Sequence, residues 1–331
     1  MEHVSVSVAI ATYNRAPMVC EAIQSALTQT RPPDEIVVVD DASSDSTAEE
    51  LNRLAALHPK LRVHRRESNS GGIVIWNEAV ARARGEFIAF CTDDDRFLPG
   101  HLDASLAYLE KHPEIGVVHS SFIDAVESGA TVAFEPRPLR SHVPLETNRN
   151  NVLRYMARYY NWPFHPSTLV IRREVWERMG GFDPRYALAD TDWFVRAVEI
   201  APAVMLPRHG IYNRRHRGNW SNRLGSARMQ REIFEIVESL IERRYIRQSV
   251  RRAAWRAIWR ANARLHLGLT MIARLRGGHA EAACAAWHGL LQDTGRRPPA
   301  WLERLGAHLL HRLCAARPTH ELSPRESVIP L

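Results

Sequence analysis

Apolar and polar residues alternate with period two through Val4-Ser5-Val6-Ser7-Val8-Ala9-Ile10 and then meet Thr12-Tyr13-Asn14, which predicts a strand ending in a polar loop. Val19, Ile23, Ala26 and Leu27 follow at helical spacing. Glu35-Ile36-Val37-Val38-Val39 is apolar at four successive positions, as a strand buried on both faces of a parallel sheet requires. It runs into Asp40-Asp41-Ala42-Ser43-Ser44-Asp45-Ser46, a loop that supplies an N-cap for a helix carrying Leu51, Leu54 and Leu57. A helix from about Ile73 to Arg84 leads through Gly85 into the strand Glu86-Phe87-Ile88-Ala89-Phe90-Cys91. Pro99 opens a helix with Leu102, Leu106 and Leu109, and Ile115-Gly116-Val117-Val118-His119 is the next strand.

This rhythm predicts an α/β fold with a doubly wound, mostly parallel sheet, whose ligands bind outside the carboxyl ends of the strands. Thr131 to Asn151 is rich in Pro, Arg and polar residues and reads as an irregular excursion. Ser167-Thr168-Leu169-Val170-Ile171 returns as a strand, a short helix around Val175-Trp176 ends at Gly180-Gly181, and Asp190 to Ile200 is helical. From Arg228 the pattern is helical only, with Ile233, Ile236, Val237, Leu240 and Ile241, then Trp255, Ile258, Trp259, Leu265 and Leu269. The expected division is a sheet domain over 1–227, an all-helical extension over 228–317 and a disordered tail over 318–331.

Of the 331 residues, 45% are hydrophobic, as in an ordinary globular protein. No apolar run approaches the ~20 residues that span a bilayer. Met1-Glu2-His3 lacks the basic start of a signal peptide, so a cytoplasmic location is expected. Cys20, Cys91, Cys284 and Cys314 form no CxxC pair, which argues against zinc and redox-motif readings. Residues 228–331 hold 18 Arg, no Lys and 9 acids, a net of +9, so the whole basic excess of the chain (+7) lies there. With Trp255, Trp259, Trp287 and Trp301, this segment suits either an appendix packed on the sheet domain or helices on the anionic inner face of the cell membrane. Nucleic acid is not an expected partner, because no recognised motif accompanies the charge.

Asp93-Asp94-Asp95 sits at a predicted strand tip, where like charges repel unless a cation or strong donors compensate. Hard oxygen ligands suit Mg²⁺ or Mn²⁺, which carry phosphate oxygens on their free positions. Alone, the triplet is as readily a solvated loop.

Four stretches in order change that reading: Ala11-Thr12-Tyr13-Asn14-Arg15; Val39-Asp40-Asp41-Ala42-Ser43-Ser44-Asp45-Ser46-Thr47; Gly85 to Phe90 with Thr92-Asp93-Asp94-Asp95 and Leu98-Pro99; and Met179-Gly180-Gly181-Phe182-Asp183 leading to Ala189-Asp190-Thr191-Asp192-Trp193. With them, residues 4 to about 221 resemble the family-2 glycosyltransferases of GT-A fold. The resemblance implies a nucleotide-diphosphate-sugar donor, UDP-linked by expectation, a divalent metal (Mn²⁺ or Mg²⁺), and inverting transfer to an acceptor hydroxyl in surface polysaccharide or glycoconjugate synthesis. It carries the catalytic base to Asp190, and its donor site to Ala11, Thr12, Tyr13, Arg15, Asp41, Asn69, Asn77, Asp93, Arg214 and Arg215. Asp94, Asp95 and His216 become the metal candidates, and His165, Asp192 and Trp193 fall to acceptor-side or supporting roles.

Two departures stand out. Ala189 replaces a frequent Glu before the base, and Trp76 stands where an Arg commonly precedes the Asn. Asp192 competes with Asp190 for the role of base, and its alternative is to cap a helix or hold an Arg; geometry decides between them. Tyr13 and Asp41 read equally as a core-edge tyrosine and a loop cap, and Arg214-Arg215-His216 as a solvated loop. A nucleotidyltransferase, and a non-catalytic nucleotide-sugar-binding or membrane-scaffold protein, are the competing functional readings.

Overall fold

The structure is a computed structural model that describes residues 5–128, 131–137, 139, 141–148, 151–152, 164–216, 218–219, 232 and 236, all within the first of two compact units, Met1–Trp255. The helices expected beyond residue 228 lie outside the described residues apart from Glu232 and Ile236. Among the described residues no helix is long and apolar enough to cross a membrane.

The first half of the fold runs β1 (Val6–Thr12), α1 (Ala16–Leu27), β2 (Glu35–Asp40), α2 (Thr47–Leu57), β3 (Leu61–Arg65), α3 (Gly72–Arg82) and β4 (Phe87–Phe90). The second runs β5 (Arg96–Phe97), α4 (His101–Lys111), β6 (Val117–Ser128), β7 (Thr131–Pro136), β8 (Leu145–Thr147), a 3₁₀ turn (Pro166–Thr168), β9 (Val170–Arg172), α5 (Arg173–Met179), α6 (Ala189–Ala197) and β10 (Ala203–Arg215). One sheet joins the strands in the order β3-β2-β1-β4-β9-β6-β10-β5, with β7 added to β6 and β8 to β10.

Strands β3, β2, β1 and β4 pair in parallel, as do β6 and β10. β9 lies antiparallel between β4 and β6, setting Ile171 opposite both Ile88 and Val117. The result is a mixed α/β sheet, parallel where α1, α2 and α3 connect its strands. Burial of all seven β1 residues and of Ile36, Val37, Val38 and Val39 explains the unbroken apolar runs read from the sequence. Val19, Ile23 and Ala26 of α1 and Leu102, Leu106 and Leu109 of α4 cover the same core. Gly85 marks a point where only a glycine fits, since a Cβ there would lie 2.6 Å from the Ser7 backbone nitrogen.

Three expectations need correction. The excursion from Thr131 to Asn151 is not wholly irregular: Thr131 to Pro136 forms β7, a hairpin partner of β6, and Leu145 to Thr147 forms β8 against β10. Ser167 and Thr168 leave the expected strand for the 3₁₀ turn, because Thr168 Oγ1 accepts the His165 backbone N–H (3.3 Å) and donates to the His165 carbonyl (2.7 Å). Tyr212 to Arg215, read as part of a late loop, is the end of β10. The pattern also gave no warning of β3 or of most of β10.

Candidate active site

The carboxyl ends of β1, β2 and β4 open on one side of the sheet, and their loops are tied together. Asn14 and Ala42 adopt left-handed backbone conformations (φ 54° and 60°), a strained arrangement for residues with a Cβ. The strain is held by reciprocal bonds: Asn14 N–H donates to Ser43 Oγ (2.9 Å), and Ser44 N–H donates to Asn14 Oδ1 (2.7 Å). Between them Tyr13 stands 43% exposed at the mouth of the site, available to a flat ligand, while Ala11 is buried within β1.

Asp41 and Asn69 brace the floor. The Asp41 carboxylate accepts Ser70 N–H (2.9 Å), Ser70 O–H (2.9 Å) and Gly71 N–H (2.8 Å), fixing the start of α3, and Asn69 Nδ2 donates to the Asp41 carbonyl (3.3 Å). Asn77 is likewise committed: its amide donates to the Phe182 carbonyl (2.8 Å) and accepts the Phe182 N–H (2.9 Å), so it latches α3 to the loop after α5.

The three consecutive aspartates have three different environments. Asp93 Oδ2 accepts from Thr12 Oγ1 (2.9 Å), and burial, reinforced by the neighbouring Asp94 charge, pushes its carboxyl up to about 7. Asp94 is half-buried, and a hydrogen bond from His216 and the charge of Arg15 outweigh the effect of burial and hold its carboxyl below the usual range. Arg15 Nη1 lies 2.7 Å and His216 Nε2 3.1 Å from the same Asp94 oxygen, with Asn219 Nδ2 at 3.3 Å. Arg15 also reaches Asp93 (3.7 Å) and donates to the Gly218 carbonyl (2.9 Å), so one guanidinium joins the first loop, the triplet and the segment after β10. Asp95 is fully enclosed: Oδ2 accepts from Thr92 Oγ1 (2.5 Å) and Ser167 Oγ (2.6 Å) and lies 3.1 Å from His165 Nδ1, while Oδ1 accepts Arg214 N–H (3.1 Å).

Arg214 turns back into the protein, its Nε donating to the Asp94 carbonyl (3.1 Å) and its guanidinium pairing with Glu21. Arg215 is exposed. Arg217, Trp220 and Ser221 of the same motif lie outside the described residues.

Asp190 occupies the first turn of α6, half-buried, with Oδ1 accepting the Thr191 N–H (2.8 Å). Burial pushes its carboxyl up, and the Thr191 N–H and the charge of His165 partly oppose the rise. His165 thus faces Asp95 by contact and Asp190 through its field. Asp192, two residues on, points elsewhere: it is 4% exposed and pairs with Arg196 (2.7 Å), whose other nitrogens hold the Met179 (2.7 Å) and Gly181 (3.0 Å) carbonyls. Trp193 is a core residue, fully buried beside Trp176 and Phe182, and offers no surface to an acceptor.

Sequence reading missed the supports: Thr92 and Ser167 around Asp95, Glu21 behind Arg214, Asn219 on Asp94, and Glu232, whose carboxylate accepts the Leu188 N–H (2.8 Å) just before α6. Apart from Thr92, three positions from Asp95, they pair across 44 to 193 positions, and no local pattern announces those pairings.

Among the described residues no three His, Cys, Asp or Glu side chains stand assembled as metal ligands. Asp94 and His216 converge, however, and one carboxylate with one imidazole suits Mn²⁺ or Mg²⁺ when phosphate oxygens and water complete the shell. Arg15 compensates the charge that a cation would neutralise, and His216, 3.1 Å from the same carboxylate, would offer that cation a ring nitrogen.

The architecture is that of the GT-A-type α/β proteins. TarS of S. aureus, solved in complex with UDP-GlcNAc, matches with a TM-score of 0.56 at 22% identity over 72% of this chain and 65% of its own. The mannosyltransferase PcManGT of Pyrobaculum calidifontis, solved with GDP-Man and Mn²⁺, matches with a TM-score of 0.57 at 23% identity over 93% of this chain and 81% of its own. Residues 7–180 match the family model for glycosyl transferase family 2, and the chain belongs to that family. The uncharacterized glycosyltransferase YwdF of Bacillus subtilis is 30% identical over 201 residues, 59% of this chain and 68% of the relative. A putative teichuronic acid biosynthesis glycosyltransferase of the same organism, TuaG, is 33% identical over 104 residues, 31% of this chain and 41% of the relative.

Proposed function

We propose that this family-2 glycosyltransferase moves a sugar from a nucleoside-diphosphate donor, UDP-linked in the first instance, to an acceptor hydroxyl with inversion, in assembly of a surface polysaccharide or related glycoconjugate. The observation that carries the reading is a carboxylate raised by burial, Asp190, that feels the charge of His165, the same histidine that contacts Asp95 (3.1 Å) and acts on Asp94. The donors named in the TarS and PcManGT structures, and the pathway named for TuaG, support the donor class and the setting.

In this mechanism Tyr13 stacks on the nucleobase, and the Asp41 loop and Thr12 hold the walls around it. Asp93 accepts from the ribose. Asp94 and His216 would hold the divalent cation, which would neutralise the departing diphosphate as a Lewis acid. Asp95, with no carboxylate edge left open, positions Arg214 and His165 rather than ligating. Arg15 stands beside the phosphates, where its fork of donors takes over part of the work of the Arg that Trp76 replaces. The acceptor oxygen attacks the anomeric carbon from the face opposite the diphosphate, its proton passes to the Asp190 carboxylate, and the electron pair of the broken C–O bond leaves on the diphosphate.

A thermal-shift series with UDP and GDP, each with and without Mn²⁺, tests the donor site directly, since a ligand of the folded state raises the apparent melting temperature. A shift that needs both nucleotide and metal supports the proposal. No shift with any nucleotide overturns it in favour of a scaffold, and donor binding without transfer to any hydroxyl favours a non-catalytic binding protein.

A further inference from the structure

Beyond the groups around Asp190, the acceptor side carries a guanidinium whose setting is unusual for a surface arginine. Arg137 follows β7 and is fixed at three points. Its backbone N–H donates to the Phe122 carbonyl (3.1 Å), its own carbonyl lies 2.7 Å from His209 Nε2, and its Nε donates to Asp124 Oδ2 (2.5 Å). Asp124 is itself buried and held from the other side by Asn213 Nδ2 (2.6 Å). The guanidinium carbon sits 5.5 Å over the ring of Phe122, and the same ring meets His165 edge-on at 5.8 Å. The Phe122 ring therefore meets both Arg137 and the histidine that contacts Asp95.

An arginine that served only to brace Asp124 would do so best through two parallel bonds, Nε and Nη to the two carboxylate oxygens. Here the second oxygen is taken by Asn213, and both Nη groups of Arg137 are left without a partner among the described residues, on a side chain that is 44% exposed. Fixed backbone, fixed Nε and a free terminal fork make a donor pair already oriented for two oxygens of an incoming anion.

We propose that Arg137 is a specificity-determining residue that binds an anionic group of the acceptor, a phosphate or a sugar carboxylate, one sugar unit away from the hydroxyl that faces Asp190. This rests on the assignment of Asp190 as base. Phe122 gives the acceptor ring an apolar face to lie on, Arg137 takes the oxyanion, and the hydroxyl is delivered past His165. The two sources of that oxyanion are a sugar phosphate, as at the head of a lipid-linked sugar, and a uronic acid.

The test uses the full chain with its donor site filled by UDP and Mn²⁺, and measures by calorimetry the binding of glucose 1-phosphate, glucuronate and methyl glucoside. Either anion should bind at least about 10-fold tighter than the neutral sugar, the size expected for a charge-assisted hydrogen bond. Which of the two binds identifies the source. Arg137→Gln should remove the preference, and Arg137→Lys, which keeps the charge and loses the fork, should retain only part of it. The thermal shift given by UDP with Mn²⁺ should be the same in all three proteins. Equal affinity for charged and neutral sugars, no binding of either anion, or a preference that survives Arg137→Gln overturns the inference. A normal nucleotide shift in that case leaves the glycosyltransferase reading standing, whereas loss of the nucleotide shift in the parent protein strikes that reading first.

Discussion

Strands β3, β2, β1 and β4 carry the candidate donor-site groups on loops braced by short bonds, Asn14 with Ser43 and Ser44 and Asp41 with Ser70 and Gly71. The half built from β9, β6, β10 and α6 holds its groups by long reach instead: Asp95 to Ser167, Arg214 to Glu21, Leu188 to Glu232. A parallel βαβ half fixes a site through its own turns, so its site is modular and local. The mixed half fixes its site by contacts among segments distant in sequence, so one altered residue there displaces another far away. Recognition of a common donor fits the first arrangement, and recognition of a variable acceptor fits the second.

The largest effect expected is on Asp190. Asp190→Asn removes the proton acceptor and should lower kcat by about 10²–10⁴-fold while leaving the nucleotide-induced thermal shift within error of wild type. Loss of both activities together would mean that the two halves are not separable as described. Because burial raises the Asp190 carboxyl, the acidic limb of kcat/KM should lie above the ordinary carboxylate value of 3.8, since the protonated acid cannot take the proton. A limb at or below that value would remove Asp190 as the titrating base.

His101 offers a stability measurement confined to the second half. It is fully buried beside Phe97, with Gly210 so close that a Cβ there would lie 2.4 Å from His101 Nδ1. Burial, aided by Arg208, depresses its pKa from 6.5 to about 3. Between those values the unfolded chain binds a proton that the folded chain refuses, so this contribution is whole above pH 6.5 and is lost as pH falls toward 3, at roughly 1.4 kcal/mol per pH unit at most. Asp93 acts with the opposite sign: its folded carboxyl protonates near 7 and its unfolded one near 3.8, so acidification through that window favours the folded state. The informative quantity is therefore the difference between wild type and His101→Leu in the slope of Tm between pH 6.5 and 5. Parallel slopes would show that His101 is not excluded from protonation in the fold.

How much of this was legible follows the same division. The runs Val4 to Ile10, Glu35 to Val39 and Glu86 to Cys91 announce β1, β2 and β4 because a strand buried on both faces has to be apolar throughout. The loops after them are readable because special turns need Asn, Asp, Ser and Gly. β3 escaped because Leu61-Arg62-Val63-His64-Arg65 lies at the sheet edge and mixes charge with apolar residues, and β7 because Pro and Arg surround it. Asp190 was legible only through motif likeness. Nothing local distinguishes it from Asp192; the distinction is made by Arg196, one helical turn beyond Asp192, reaching the end of α5.

Asn77 tests one of the bonds between the halves. Asn77→Ala removes the amide that satisfies both the N–H and the carbonyl of Phe182, and should cost on the order of 2 kcal/mol in chemical denaturation. Gly181 lies against the same amide, a Cβ there coming within 2.9 Å of Asn77 Oδ1, so Gly181→Ala should be destabilising in the wild type and less so in the Asn77→Ala background. Strict additivity of the two changes would deny the latch.

The smallest effect, and the finest test of long-range support, concerns Glu232. Its carboxylate accepts the Leu188 N–H at the start of α6, one turn or less from Asp190, and it is 6% exposed. Two influences act there: a hydrogen bond that satisfies a buried donor, and a negative charge at the positive end of a helix. Glu232→Gln keeps an oxygen acceptor and deletes only the charge, so it should cost about 0.3–1 kcal/mol. Glu232→Ala deletes both and should cost about 1–3 kcal/mol. If the support also sets the aim of Asp190, Glu232→Ala should lower kcat with little change in the donor KM, because the nucleotide is held by the other half of the sheet. A rise in donor KM with unchanged kcat would contradict that division of labour, and equal stability losses in the two variants would assign the whole effect of Glu232 to its charge.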